Sequence, residues 1–275
     1  MKLANSKLLT LRLPPFNRVH ITLVGVGGTG SHIASGLAAI ALDLHERGIR
    51  TSIVFVDSDI VEAKNVGRQL FAKSDLGKPK AEIVTERLNA AYDLAIGASV
   101  RAIDDLDTFI APDALSIVIG AVDNPAARAV IAKKVKQADG RLWVIDSGNE
   151  SYSGQVFIGN SNISQMKNAV SLGMTNRIPS PYAVCPDLIK TAIKSKRVKR
   201  DPSCAELTAN DEQSLMINRM MAAYTLSMLN DFLLGRLCYF GVWIDLRYGG
   251  VRNCVLDIST LCELTTMKKA QLIKG

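Results

Sequence analysis

Two textures of apolar and polar residues alternate through the first half of the chain. Residues 19–24 and 52–56 are short, β-branched apolar runs, the pattern of strands covered on both faces. Between them, residues 31–47 set Ile33, Leu37, Ile40 and Leu44 at helical spacing. The alternation continues, with helical periodicity over 78–92 and 125–138 and strand patterns over 99–103, 116–122 and 142–145. Strand followed by helix, repeated, predicts a doubly wound, Rossmann-like α/β fold, with a mainly parallel sheet and helices on its faces.

Beyond Gly148 the texture changes. Residues 155–158 read as one more strand, but 159–207 is rich in Asn, Ser, Pro and Lys and keeps no sustained period. A stretch of that length inside a compact domain is either a functional crossing segment or a place where elements go unseen. Asp211 is placed to cap a long helix carrying Leu215, Met216, Met220, Tyr224, Met228 and Phe232, and Gly235 supplies its stop. Residues 242–246 and 253–257 pair as an antiparallel hairpin across Gly249 and Gly250. The expected organisation is a single domain over 1–275. It divides into a core at 19–158, a long irregular crossover loop at 159–207, and a helix with antiparallel strands at 208–275.

Composition narrows the picture without choosing a chemistry. A chain of 275 residues, 48% apolar, can bury roughly three quarters of its unfolded surface, enough for one large core. Cys185, Cys204, Cys238, Cys254 and Cys262 form no Cys-x-x-Cys pair, and the first residues lack a charged region, apolar stretch and cleavage site. The expectation is reduced cytoplasm, with no disulfide framework and no structural zinc. Apolar stretches stop well short of the roughly 20 residues that cross a bilayer, so no membrane span is expected. A net charge of +7 suits nucleic acid, an acidic protein partner or a nucleotide.

The chemistry enters at VGVGGTGS. Gly25, Gly27 and Gly30 make G-x-G-x-x-G between the first strand and its helix, with Gly28 as an additional glycine. Glycines there let a phosphate reach backbone N–H groups at a helix N-terminus. Asp57, closing the second strand, can accept hydrogen bonds from a ribose, which suits a nicotinamide cofactor or ATP alike. Asn65, Arg68, Gln69 and Lys80 lie on the path into the next helix and could surround a triphosphate, with Arg as a planar fork and Lys as a mobile charge. Asp123, at the carboxyl edge of a buried strand, could hold Mg²⁺ against phosphate oxygens, or could cap the helix before Pro125 unless Asn124 does so.

Taken in order, GVGGTGS, VDSDIV, NVGRQ, GKPKA and AVDN resemble the ThiF/MoeB and ubiquitin-activating-enzyme superfamily. Within it the chain looks most like the ThiF-related protein of the bacterial ParB-related, ThiF-related cassette (PRTRC) system. The resemblance is dense over 19–158, where GNESYSGQV still follows the pattern, and thinner afterwards. It implies adenylation, with MgATP, of the C-terminal glycine of a small β-grasp, ubiquitin-like protein. It assigns the ribose to Asp57, phosphates to Asn65, Arg68 and Lys80, a neighbouring place to Gln69, the second acid of D-x-D to Asp59, and Mg²⁺ to Asp123. It further implies a homodimer and an attack that needs no general base, because the attacking carboxylate is already ionised.

The chain departs from its relatives in two places. Their paired-cysteine zinc clamp is absent, and Arg12 and Arg18 sit too close to the glycine loop for assignment as an arginine delivered across a dimer. Some relatives pass the activated glycine to their own thiol, which makes Cys185 in SPYAVCPDL and Cys204 in DPSCAEL the candidates, with Cys238, Cys254 and Cys262 read as core. Lys190, Lys194, Lys196, Arg197, Lys199 and Arg200 could favour a thiolate at Cys185, dock an acidic partner, or simply be solvated. No aromatics interleave with them, and only 5% of the chain is aromatic, which argues against nucleic acid. Met216, Met220, Met221 and Met228 form a helical stripe of core or interface character. Two rivals remain: a non-catalytic nucleotide-binding scaffold, and an NAD-dependent oxidoreductase that would leave Arg68, Lys80 and Asp123 without work.

Overall fold

The computed structural model describes residues 7–103, 109–194 and 216–274, with the backbone alone over 191–194. In chain order come β1 (Thr10–Leu11), β2 (Arg18–Val24), α1 (Gly28–Glu46), β3 (Arg50–Val56), α2 (Lys80–Tyr92) and β4 (Gly97–Ser99). Next are β5 (Leu115–Gly120), α3 (Pro125–Ala138), β6 (Leu142–Asn149) and β7 (Ser153–Gly159). The remainder comprises β8 (Val170–Ser171), β9 (Met174–Thr175), α4 (Pro181–Val184), α5 (Asp187–Lys194), α6 (Ile217–Leu233), β10 (Tyr239–Asp245), β11 (Gly250–Val255), α7 (Ile258–Thr265) and α8 (Lys269–Leu272).

The fold is the expected mixed α/β architecture. Eight strands run in the order β11-β10-β7-β6-β5-β2-β3-β4, parallel from β4 through β6 and antiparallel from β6 through β11. Both faces are covered, and for that reason the central strands read as continuous apolar runs. On one face Ile21, Leu23, Ile117, Ile119 and Trp143 meet Ile33 and Leu37 of α1 and Met221, Leu229 and Phe232 of α6. Trp143 and Phe232 pack with ring centroids 4.6 Å apart and planes tilted by 55°. On the other, Val118, Val144 and Leu142 meet Ile131 and Val135 of α3.

Several elements differ from the sequence pattern for visible reasons. The strand expected at 99–103 lies at Gly97–Ser99, because its neighbour β3 ends at Val56, which pairs with Ser99. Residues 159–194 hold short elements too brief to show a period. A small sheet, β1-β9-β8, joins the N-terminal strand to this segment, and a 3-10 turn spans Ile163–Met166. Buried Asn160 organises it: its amide donates to the Gly140 and Asn176 carbonyls (both 3.1 Å) and accepts from the Ile178 N–H (3.0 Å). Helix α6 begins at Ile217 and ends before Gly235, whose φ of +67° is the stop expected there. Asp211 and Leu215 lie outside the described residues. Cys254 is buried, but Cys238 is exposed rather than core, since it precedes β10 in a loop where its thiol meets the Arg236 carbonyl. Of the methionine stripe, Met221 and Met228 are buried, while Met216 and Met220 face outward.

Candidate functional site

Strand order decides where a ligand can sit. From β2 the chain moves through α1 to β3 and α2 to β4, then returns to place β5 on the opposite side of β2. The reversal opens a crevice outside the carboxyl ends of β2 and β5, the usual ligand position in such sheets. The glycine turn follows β2, Asp57 and Asp59 follow β3, and Asp123 follows β5, so these predicted residues share that edge.

The turn is tight because it has to be. Gly25 has φ +88°, and a Cβ there would lie 2.6 Å from the Ala121 carbonyl oxygen. A Cβ on Gly30 would lie 1.9 Å from the Gly25 carbonyl oxygen. Gly27 is the N-cap of α1 and contributes no side-chain cap, so the first-turn N–H groups lack the partner a Ser or Asp would supply. Gly28 is close to a different neighbour: a Cβ would meet the Asn218 side-chain nitrogen at 2.7 Å.

Asp57 binds the glycine turn from the side. Its carboxylate accepts from the Val26 N–H (2.6 Å) and the Asp59 N–H (2.9 Å). Burial pushes its pKa up, against the pull of those two N–H donors and of Lys80. Lys80, buried at the first residue of α2, places its ammonium 2.9 Å from the more exposed Asp59 carboxylate. That position sets a cation at the positive end of a helix, where the macrodipole disfavours it.

The loop between β3 and α2 folds back on the turn. Asn65 is buried and accepts from the Glu62 N–H (2.8 Å), closing a short 3-10 turn. The Gln69 amide reaches 3.8 Å from where a Gly27 Cβ would sit, and its buried Oε1 has no hydrogen-bond partner among the described residues. Arg68 lines a cavity of about 480 Å³ with Gln69, His32, Arg87 and Arg219. Arg87 is held there by Asp75 (2.8 Å) and the Leu70 carbonyl (2.7 Å). Asp123 is exposed, and Asn124 takes the helix-cap role, accepting from the Ala127 N–H at 2.8 Å.

Cys204 lies outside the described residues, as do Lys196, Arg197, Lys199, Arg200 and the side chain of Lys194. Lys190 pairs with Asp187 at 3.1 Å. Cys185 is half-buried at the end of α4, and burial, with the negative charges of Asp146 and Asp187, pushes its pKa up to about 11. It is a neutral thiol at pH 7 in this arrangement.

Two groupings had no signal in the sequence. Buried Asp146 of β6 accepts from the Tyr182 hydroxyl (3.0 Å) and lies 3.3 Å from the Arg128 guanidinium, tying α4 and α3 to the sheet. The Thr29 hydroxyl, in the first turn of α1, is within reach of both Asn149 Oδ1 (3.0 Å) and Asn218 Oδ1 (3.1 Å). Asn218 lies far along the chain within a methionine-rich helical pattern, where only its polarity against that pattern could have marked it.

The sequence profile of the ThiF family matches residues 13–232. Over 125 residues, 42% of this chain and 41% of the relative, it is 31% identical to the tRNA threonylcarbamoyladenosine dehydratase of Escherichia coli (strain K12). Over 144 residues, 50% of this chain and 46% of the relative, it is 27% identical to the NEDD8-activating enzyme E1 catalytic subunit of Saccharomyces cerevisiae. The chain thus spans less than half the length of these curated relatives. A crystal structure of E. coli MccB with ATP superposes with a TM-score of 0.58 at 19% identity, covering 87% of this chain and 64% of that one, a likeness of fold. Among the described residues no helix is long and apolar enough to cross a membrane.

Proposed function

The chain belongs to the ThiF family, and on that premise we propose that it adenylates a carboxylate with ATP, the carboxylate being the C-terminal glycine of a small ubiquitin-like protein. The observation that carries this reading is Lys80: a buried cation at a helix N-terminus, ion-paired with the exposed Asp59 and facing the Asp57 carboxylate beside the glycine turn. A triphosphate at the turn gives that charge its work, since it carries more negative charge than the pyrophosphate of a dinucleotide cofactor, which the helix N-terminus alone can hold. The donor set fits a nucleotide. Asp57 offers a carboxylate to a ribose, the uncapped first turn of α1 offers N–H groups to phosphate, and Gln69 Oε1 is left as an acceptor.

In the proposed reaction the substrate carboxylate oxygen bonds to the α-phosphorus while the bond to the β-phosphate bridging oxygen breaks, and pyrophosphate leaves. Arg68 and Lys80 offset the repulsion between two anions and the charge that builds on the phosphoryl oxygens. No side chain need remove a proton, because a carboxylate is ionised at neutral pH. Mg²⁺ at Asp123 would neutralise phosphate charge; one exposed carboxylate suits an ion that keeps water and phosphate as its other ligands.

The same reading treats 1–275 as one adenylation domain, with 19–158 holding ATP, 159–207 crossing over the partner's tail and 208–275 completing the sheet. It works as a cytoplasmic homodimer of the ParB-related, ThiF-related cassette type, and Cys185 or Cys204 receives the acyl group only after its segment rearranges. Partner-dependent ATP–pyrophosphate exchange tests the proposal. Exchange that requires the partner's C-terminal glycine supports it, and ATP binding without exchange favours the scaffold alternative. A second substrate class follows from the net charge of +7 and the name of the E. coli relative: exchange driven by tRNA instead of protein would replace the ubiquitin-like partner.

A further inference from the structure

Resting on the nucleotide reading above, we propose that Asn218 is a positioning residue for the phosphate-binding turn, acting through Thr29. The first turn of α1 has no side-chain cap of its own, since Gly27 stands at the N-cap. What fixes that turn comes from elsewhere. The Thr29 hydroxyl, one residue inside the helix start, shares its proton between Asn149 at the end of β6 and Asn218 in the first turn of α6. All three side chains belong to different elements, and Thr29 and Asn218 are buried.

Gly28 gives the second, independent sign of this clasp. A Cβ at Gly28 would stand 2.7 Å from Asn218 Nδ2 and 3.1 Å from its Cγ, so glycine at this position makes room for the amide. Close backbone packing explains Gly25 and Gly30, and the open side of Gly27 leaves room for phosphate; Gly28 is explained by Asn218. The N–H groups of the first turn must point at the phosphates within a few tenths of an ångström to act as preorganised donors. A side chain that pins the turn between β6 and α6 sets that aim without touching the nucleotide. It also links α6 to the site, because Asn218 can reach Thr29 only when α6 is seated against α1.

A double-mutant cycle with Thr29→Val and Asn218→Ala tests this, read by ATP affinity, by kcat and KM in exchange, by melting temperature, and by amide hydrogen exchange of residues 28–30 without nucleotide. Each single substitution is expected to speed exchange of the first-turn amides and to weaken ATP binding or turnover about 10-fold to 100-fold. The double variant should be no worse than Thr29→Val alone, since that substitution already removes the interaction Asn218→Ala deletes. Gly28→Ala should be damaging alone and tolerated in the Asn218→Ala background. Faster amide exchange with unchanged ATP affinity and turnover would reduce Asn218 to a structural contact and overturn the proposal, as would additive losses in the double variant. A wild-type protein that binds no ATP overturns the nucleotide reading itself, and the nucleotide-free amide exchange separates that result from failure of the clasp.

Discussion

The parallel half of the main sheet and the segment that follows β7 reach stability by different routes. From β4 to β6 the strands are parallel, and the long helices α1, α2 and α3 follow β2, β3 and β5, so most of these elements are long enough to carry an apolar period. From Gly159 to Lys194 the chain is built of two-residue strands and short helices, held by side chains such as Asn160 that satisfy several backbone groups at once. The parallel end brings its chemistry to one fixed edge. The irregular segment keeps Cys185 as a protonated, half-buried thiol behind the Asp146 cluster. Regular packing sets the strand-end residues in place, while the segment beyond β7 half-buries Cys185.

The sharpest test of the parallel end is Lys80→Met. Turnover should fall by about 10²–10³, the usual cost of one aimed charge-stabilising group. Stability should change little, because the Asp59 carboxylate left behind is 68% exposed. Equal loss of both in exchange kinetics and thermal melts would mean that the ion pair serves the fold.

Asp57 ranks next. Its raised pKa means that the folded protein holds this proton more tightly than the unfolded chain. Its contribution to stability is therefore fully present below the ordinary value of 3.8 and is lost as pH rises through the raised folded value. A ribose hydroxyl needs the ionised acceptor, so ATP affinity should move oppositely and weaken on acidification before an ordinary carboxylate would titrate. Asp57→Asn should remove that acidic limb, as binding titrations across pH would register.

Gly30→Ala tests the turn through the fold. The added Cβ meets backbone, which cannot swing aside as a side chain can, and destabilisation of about 1–3 kcal/mol or more is expected by denaturant titration. The smallest effect belongs to the other region. Cys185→Ser should leave ATP–pyrophosphate exchange unchanged, because on the proposed reading the thiol acts only after adenylation. Rapid alkylation of Cys185 at pH 7 would instead show that its segment opens, and would blur the contrast between the two regions.

What was legible in the sequence follows the same division. Ile33, Leu37 and Leu44 at helical spacing, and the runs at 19–24 and 52–56, report elements long enough to have a period. The glycines, Asp57, Asp59 and Asp123 could be grouped because each lies just after a strand, and strand ends of a parallel sheet share an edge. Asn218 and Tyr182 could not, since their partners Thr29 and Asp146 are brought to them by tertiary packing across long stretches of chain. The early end of β4 was hidden for a related reason: apolar residues beyond Ser99 look like strand, but β3 offers them no further partner.

The packing of Trp143 against Phe232 has a spectroscopic consequence. The chain has only two tryptophans. Trp143 is buried between β6 and α6, while Trp243, partly exposed on β10, lies 5.4 Å from the Arg252 guanidinium carbon. The emission spectrum is therefore divided by place. Its blue component reports whether α6 is seated on the sheet, its red component reports cover over the antiparallel end, and neither signal needs a label.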